Sequence, residues 1–249
     1  MKKNLIILLR FCLNFGFNNG IYLYLKIRLG FVSSIKLPGI KYPFMLRSGT
    51  TDIQVLYEVF LYKNYDVDFT NPSVIIDAGA NIGLFAIQII NNFPEAKIIC
   101  IEPDIDNFKI LLENTSKYKN IVCLNSGLWN KDTKLNVYDK YNSGKWGMVV
   151  EEDKINGTVS AISMNTLIEN YSIKKIDILK IDIETSEKEL FMDNYENWLP
   201  KVKTVLIELH DWLKDDCSRS FFNAIDKSVL KYKYSIKGGT TIIVNDDIE

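Results

Sequence analysis

The residues of this chain best suited to chemistry fall where apolar runs stop. Asp77 follows Val74-Ile75-Ile76, Glu102 follows the run ending at Ile101, Asp182 and Glu184 follow Ile181, and Glu208 and the single histidine, His210, close the run from Val205. Carboxylates can hold a cation, accept hydrogen bonds from hydroxyls or take a proton, and an ordinary histidine with a pKa of about 6.5 exchanges one near neutrality. After Asp77 comes Gly79-Ala80-Asn81-Ile82-Gly83, a glycine loop between a short β-branched run and the helical spacing of Ile82, Phe85, Ala86, Ile89 and Ile90. Such a strand-loop-helix junction binds nucleotides readily, because glycine admits close approach and the helix start offers unpaired N–H groups. Here an acid stands beside the loop. It would repel the pyrophosphate of a dinucleotide, and the segment does not match GxGxxG. S-adenosylmethionine instead carries a sulfonium and an ammonium and no phosphate, so the loop suits a methyl donor. Asp77, Gly79, Asn81, Gly83 and Glu102 are then the cofactor-binding positions, Glu102 accepting hydrogen bonds from adjacent ribose hydroxyls. The plainer reading makes Asp77 a helix cap, the glycines a tight turn, and Glu102 the acid leading a helix begun by Pro103 and Asp104.

A central parallel strand should be nearly all apolar, yet Ile176 to Glu184 alternates apolar residues with charges. Lys180, Asp182 and Glu184 share a face while the strand continues, and burying them requires that each charge be compensated. Glu208 and His210 reach the neighbouring strand end, the edge where open α/β sheets hold their ligands. The catalytic candidates are therefore His210, Asp182, Glu184 and Glu208. His210, Asp182 or Glu184 would be the base, and Glu208 would orient His210. The same four could instead hold a divalent cation that acidifies a hydroxyl, and a structural role for a lone histidine also stands.

The elements that must position these groups alternate. Strands are expected at 74–77, 97–101, 121–125, 176–181 and 205–209, with helices at 82–92, 104–118, 186–194 and 218–230, which predicts a mostly parallel sheet with helices on both faces. Gly238-Gly239 between two β-rich runs predicts a closing hairpin. From 126 to 172 the alternation lapses. Strands at 134–138 and 146–150 around a turn at Ser143-Gly144 read there as a β-rich insertion, whose Trp129, Tyr138, Tyr141 and Trp146 either line a pocket or pack together. Residues 1–68 read as an extension of helix, irregular segment and helix, the last resuming at Asp52 to Tyr62, and residues 69–249 as the main domain.

With 249 residues the chain can bury a large core. A net charge of −1 with mixed signs gives no cationic face for nucleic acid. Four cysteines with no CxxC pair fit a reducing, cytoplasmic setting. The first residues, MKKNLIILLRFCLNF, are interrupted by Arg10 and too short to span a bilayer. They form either an amphipathic cap on the core or a peripheral contact with the inner membrane surface.

Taken together, VIIDAGANIG, the IEP at Glu102, LKIDIE with Glu187 beyond it, the IELH ending at His210, and the approach SGTTDIQVLYEVF resemble the FkbM family of S-adenosylmethionine-dependent methyltransferases. The resemblance runs from about Ser48 onward. It implies a Rossmann-like class I methyltransferase fold, here with a seven-stranded sheet, S-adenosylmethionine as cofactor, and O-methylation of a hydroxyl on a sugar, glycan, glycolipid precursor or natural product, as in polysaccharide biosynthesis. The family pattern DxEG is broken by Thr185 in place of glycine. Where that glycine serves a positive φ, a β-branched residue resists it. Two other readings stand: a nicotinamide-dependent oxidoreductase, which the loop spacing disfavours, and a catalytically silent nucleotide-binding module.

Overall fold

The computed structural model describes residues 2–30, 33–142, 144–229 and 231–248, the side chains of Lys2, Lys3 and Trp146 excepted. The turn position Ser143, the helix end at Leu230 and the Trp146 side chain thus lie outside the described residues. Helices α1 (Lys2–Phe15) and α2 (Phe17–Arg28) come first, hinged at Gly16. They pack closely at Gly20, where a Cβ would lie 2.5 Å from the Cys12 backbone. A two-residue ladder pairs β1 (Ser34–Ile35) with β2 (Phe44–Met45). Then α3 (Asp52–Leu56) widens into a π-helix over Tyr57–Tyr62, where the spacing had predicted an ordinary α-helix.

The alternating part runs β3 (Val74–Ala78), α4 (Leu84–Asn92), β4 (Lys97–Ile101), α5 (Ile105–Thr115) and β5 (Ile121–Leu124). The inserted strands β6 (Ser126–Trp129), β7 (Thr133–Tyr138), β8 (Val149–Glu152) and β9 (Val159–Ser163) come next. The chain closes with α6 (Met164–Tyr171), β10 (Ile176–Ile181), α7 (Glu187–Leu190), β11 (Val202–Glu208), α8 (Cys217–Ser228), β12 (Tyr232–Lys237) and β13 (Thr240–Asn245). Seven strands form one sheet in the order β12-β13-β11-β10-β3-β4-β5, parallel except for β13, which pairs antiparallel with β11 and β12. Strand order reverses between β3 and β10, so the crevice beyond their carboxyl ends is where this architecture binds a ligand.

Period-2 alternation divides the core. Ile75, Ile98, Ile178 and Leu206 face α1, α2, α3 and α4, while Ile76, Ile99, Leu179 and Val205 face α6, α7 and α8. Within residues 126–172 the inserted strands form a second sheet, β6-β9-β7-β8, and its small core takes Trp129 beside Leu135, Val150 and Ala161. Trp129 therefore packs. The strand read at 146–150 begins only at Val149, after a 3-10 turn over Gly144–Trp146. The α6 helix, unexpected from sequence, starts where the Ser163 side chain accepts from the Thr166 amide. The helix read at 186–194 stops at Leu190.

Candidate active site

A cavity opens at the strand-order reversal, lined by Gly79, Ala80 and Asn81 of the loop, by Glu102 and Asn107, by Lys180, Asp182 and Glu184 of the β10 end, by Glu58 and Tyr65, and by Met148 of the inserted segment. Glu102 is buried at the β4 end. Its Oε2 accepts from the Asn81 amide at 2.8 Å and its Oε1 from the Asp104 amide at 3.0 Å, with Asn107 Nδ2 at 3.4 Å. Burial, moderated by those amides, lifts its carboxyl to about 7. Oε2 keeps a free lone pair for a hydroxyl donor, and Oε1 gains one where the long Asn107 contact yields. The Lys145 carbonyl accepts from Asn81 and Asn107, while its Nζ lies 2.9 Å from Asp104 and 3.0 Å from Asp106. The inserted segment is thereby latched to the glycine loop and to the first turn of α5.

Both glycines answer to the fold itself. A Cβ on Gly79, at φ +75°, would lie 1.7 Å from the Asp182 carbonyl oxygen, and one on Gly83, at φ +85°, 2.7 Å from Leu111 Cδ1. The β10 end and α5 each require a glycine at these positions, and Gly79 also lines the cavity. Asp77 also differs from its expected role. It is fully buried, does not line the cavity, and pairs with Lys180 at 3.4 Å. Burial raises its carboxyl, and the lysine draws it back. Lys180 in turn donates to the Gly79 carbonyl at 2.8 Å and lies 3.5 Å from Asp182. Asp77 thus meets the cavity through Lys180, which lines it.

Asp182, Glu184, Glu208 and His210 do converge, joined by Glu187. His210 Nδ1 lies 2.9 Å from Glu187 Oε1, and Nε2 faces Glu184 at 3.5 Å, Asp182 at 3.9 Å and Glu208 at 4.0 Å. The orienting carboxylate is therefore Glu187, with Glu208 the most distant of the four. Burial pulls the imidazole down, but the Glu187 hydrogen bond and the charges of Glu187, Asp182 and Glu184 overrule it and lift His210 to about 10. That rise favours the imidazolium, so the surrounding carboxylates work against His210 as a base titrating near 6.5. Of the candidates only Asp182 and Glu184 line the cavity; Glu208 and His210 stand behind them. Burial and the Asp182 charge raise Glu184 to about 8 and Glu208 to about 7, with His210 opposing both. Glu184 and Thr185 hold φ of +47° and +80°.

Sequence reading missed Glu58. The π-helix carries it to the cavity, where burial and the charges of Asp182 and Glu208 raise it to about 8. Nothing local marks it. Tyr65, whose hydroxyl donates to Asp182 at 3.4 Å, was likewise unmarked. Tyr141 lies outside the cavity lining and donates to the Leu213 carbonyl, and Tyr138 is also absent from that lining. The site thus sets Glu58, Asp182, Glu184, Glu187 and Glu208 against two cations, Lys180 and His210, and the Asn81 Oδ1 acceptor is buried without a partner. A cavity with more carboxyl groups than cations, whose raised values a bound cation would draw back down, and with a ribose-ready acid at the β4 end, fits S-adenosylmethionine.

Fold and site together define a class I methyltransferase. The same fold occurs in an FkbM methyltransferase of Methylobacillus flagellatus, at 15% identity and a TM-score of 0.52, over 76% of this chain and 47% of that one. The family model "Methyltransferase FkbM domain" matches residues 77–236, and the chain belongs to that family, whose cofactor is S-adenosylmethionine. Methyltransferase 1 of Beauveria bassiana is 26% identical over 62% of this chain and 72% of its own length; methyltransferase sdnD of Sordaria araneosa is 24% identical over 63% and 74%.

Proposed function

We propose that this methyltransferase acts on a hydroxyl of a sugar, glycan or glycolipid precursor. The observation that carries the reading is the set of carboxylates at the cavity, because an oxygen acceptor must lose its proton as the new C–O bond forms. When bound, S-adenosylmethionine supplies the electrophilic methyl group together with positive charge. Glu102 would hold the ribose hydroxyls, Asp182 would face the charge, and the bound cation would draw Glu58 toward its ionised form. Glu184 would take the acceptor's proton, with His210 as the fixed cation that positions it. Carboxylates and amides along the wall suit an acceptor rich in hydroxyls.

The experiment is transfer of label from S-adenosylmethionine to glycan and lipid extracts, followed by mass analysis of the product. A methyl ether whose formation drops about 10²-fold or more in Glu184→Gln supports the reading. Methylated nitrogen or carbon would overturn it. Binding of S-adenosylhomocysteine without transfer would favour the silent module, and binding of a nicotinamide dinucleotide in its place the oxidoreductase.

One observation favours a second reading, a divalent cation. Asp182, Glu184 and His210 place ligand atoms within 4.8 Å of one another, and Glu187 fixes the far side of the imidazole as metal-bound histidines require. A cation there would release the His210 proton and acidify the acceptor hydroxyl. Loss of turnover on chelation, restored by Mg²⁺ or Mn²⁺, would establish it; indifference to chelator would exclude it.

A further inference from the structure

Helices α1 and α2 are apolar on two faces. The inner face buries Ile7, Phe11, Leu23 and Ile27 in the main core, as a cap would. The outer face is left exposed. On α1 it carries Leu5, Leu9 and Leu13, one turn apart, and on and after α2 it carries Tyr22, Leu25 and Leu29 at the same helical spacing. Leu13 is 84% exposed, and Phe17, beside the hinge, 71%. A helix apolar on opposite faces needs a second low-dielectric partner, and contiguous patches of this kind mark interaction sites.

Charge identifies the partner. Residues 2–30 hold Lys2, Lys3, Arg10, Lys26 and Arg28 and not one Asp or Glu. At 100° per residue, Lys26 and Arg28 fall on opposite flanks of the Tyr22-Leu25-Leu29 stripe. A groove beside the α1 stripe is lined by Leu9 and Leu13 together with Arg10, Lys63 and Lys237, with Asp66 its one acid. An apolar stripe flanked by cations complements an anionic lipid surface, whereas a second copy of the same face would set cation against cation. No helix among the described residues is long and apolar enough to cross a membrane. We propose that the α1–α2 pair docks this protein on an anionic bilayer, with Leu5, Leu9, Leu13 and Leu25 at the acyl boundary and Lys26, Arg28 and Lys63 among the headgroups. The pair is built for this: tight packing at Gly20 holds the two stripes in fixed relation. Helix α1 also packs on the π-helix that brings Glu58 to the cavity, so the docked face lies one element behind the site.

The test is flotation of the full chain with vesicles of phosphatidylglycerol and phosphatidylcholine against pure phosphatidylcholine, in low and high salt. Binding to the anionic vesicles alone is expected. It should weaken with salt and fall at least tenfold in Leu9→Asp/Leu13→Asp, whose side chains are exposed, so that its unfolding midpoint stays at the wild-type value. No wild-type binding at low salt would overturn the proposal, as would binding undiminished in the double variant. A dimer that the double variant dissolves, without lipid binding, would overturn it in favour of self-association.

Discussion

At the scale of single residues, His210 acts as a charge and Glu184 as the proton acceptor. With Glu184 near 8 and His210 near 10, the rate should rise with pH through about 8 and fall only above about 10; a rise through 6.5 would return the base role to His210. Glu58 lies near 8 against an ordinary 4.5, so folding favours its protonated form. The stability it gives is complete below about 4.5 and lost as pH climbs through about 8. Thermal melts from pH 5 to pH 9 should show a falling midpoint, and the fall should be shallower in Glu58→Gln. Thr185 is the one residue whose strain was legible in advance: it stands where the family has glycine, and its φ is +80°. Such a conformation costs a β-branched residue about 1–3 kcal/mol, part of which glycine's greater chain entropy takes back. Thr185→Gly should raise stability by about 1 kcal/mol, read as a midpoint roughly 2–4 °C higher. Glu58 was not legible, since only the tertiary fold brings its helix to the strand ends.

Among elements, β10 is the most constrained. Its Lys180 is the buried cation that compensates Asp77 and Asp182 and ties down the glycine loop. Lys180→Met leaves Asp77 buried without a counter-charge and should cost about 3–5 kcal/mol. Lys180→Met combined with Asp77→Asn should recover much of that loss in urea unfolding; equal stability of the single variant and wild type would show the pair to be idle. The alternation of charge in this strand announced a compensated cluster, and β-branched runs announced β3, β4 and β10 closely. Sequence could not say which charge pairs with which, because Lys180 lies within reach of both Asp77 and Asp182. Short or mixed elements escaped for a related reason: α6 and the π-helix depend on packing more than on local pattern.

For the whole molecule, the account places two features on one body: a cavity rich in carboxyl groups at the sheet's carboxyl edge, and a basic, apolar helix pair packed behind the π-helix that lines it. The first is central, since without the cofactor no acceptor chemistry follows. Above about pH 7, where Glu102 is charged, its loss removes hydrogen bonds that ribose hydroxyls donate to a carboxylate, about 1.5–3 kcal/mol, or on the order of ten- to a hundred-fold in affinity. The most direct measurement is calorimetric titration of S-adenosylmethionine into the wild-type protein and into folded Glu102→Ala. The account predicts a single site weakened ten- to a hundred-fold by the substitution; absence of binding, or equal affinity in the two proteins, would contradict it.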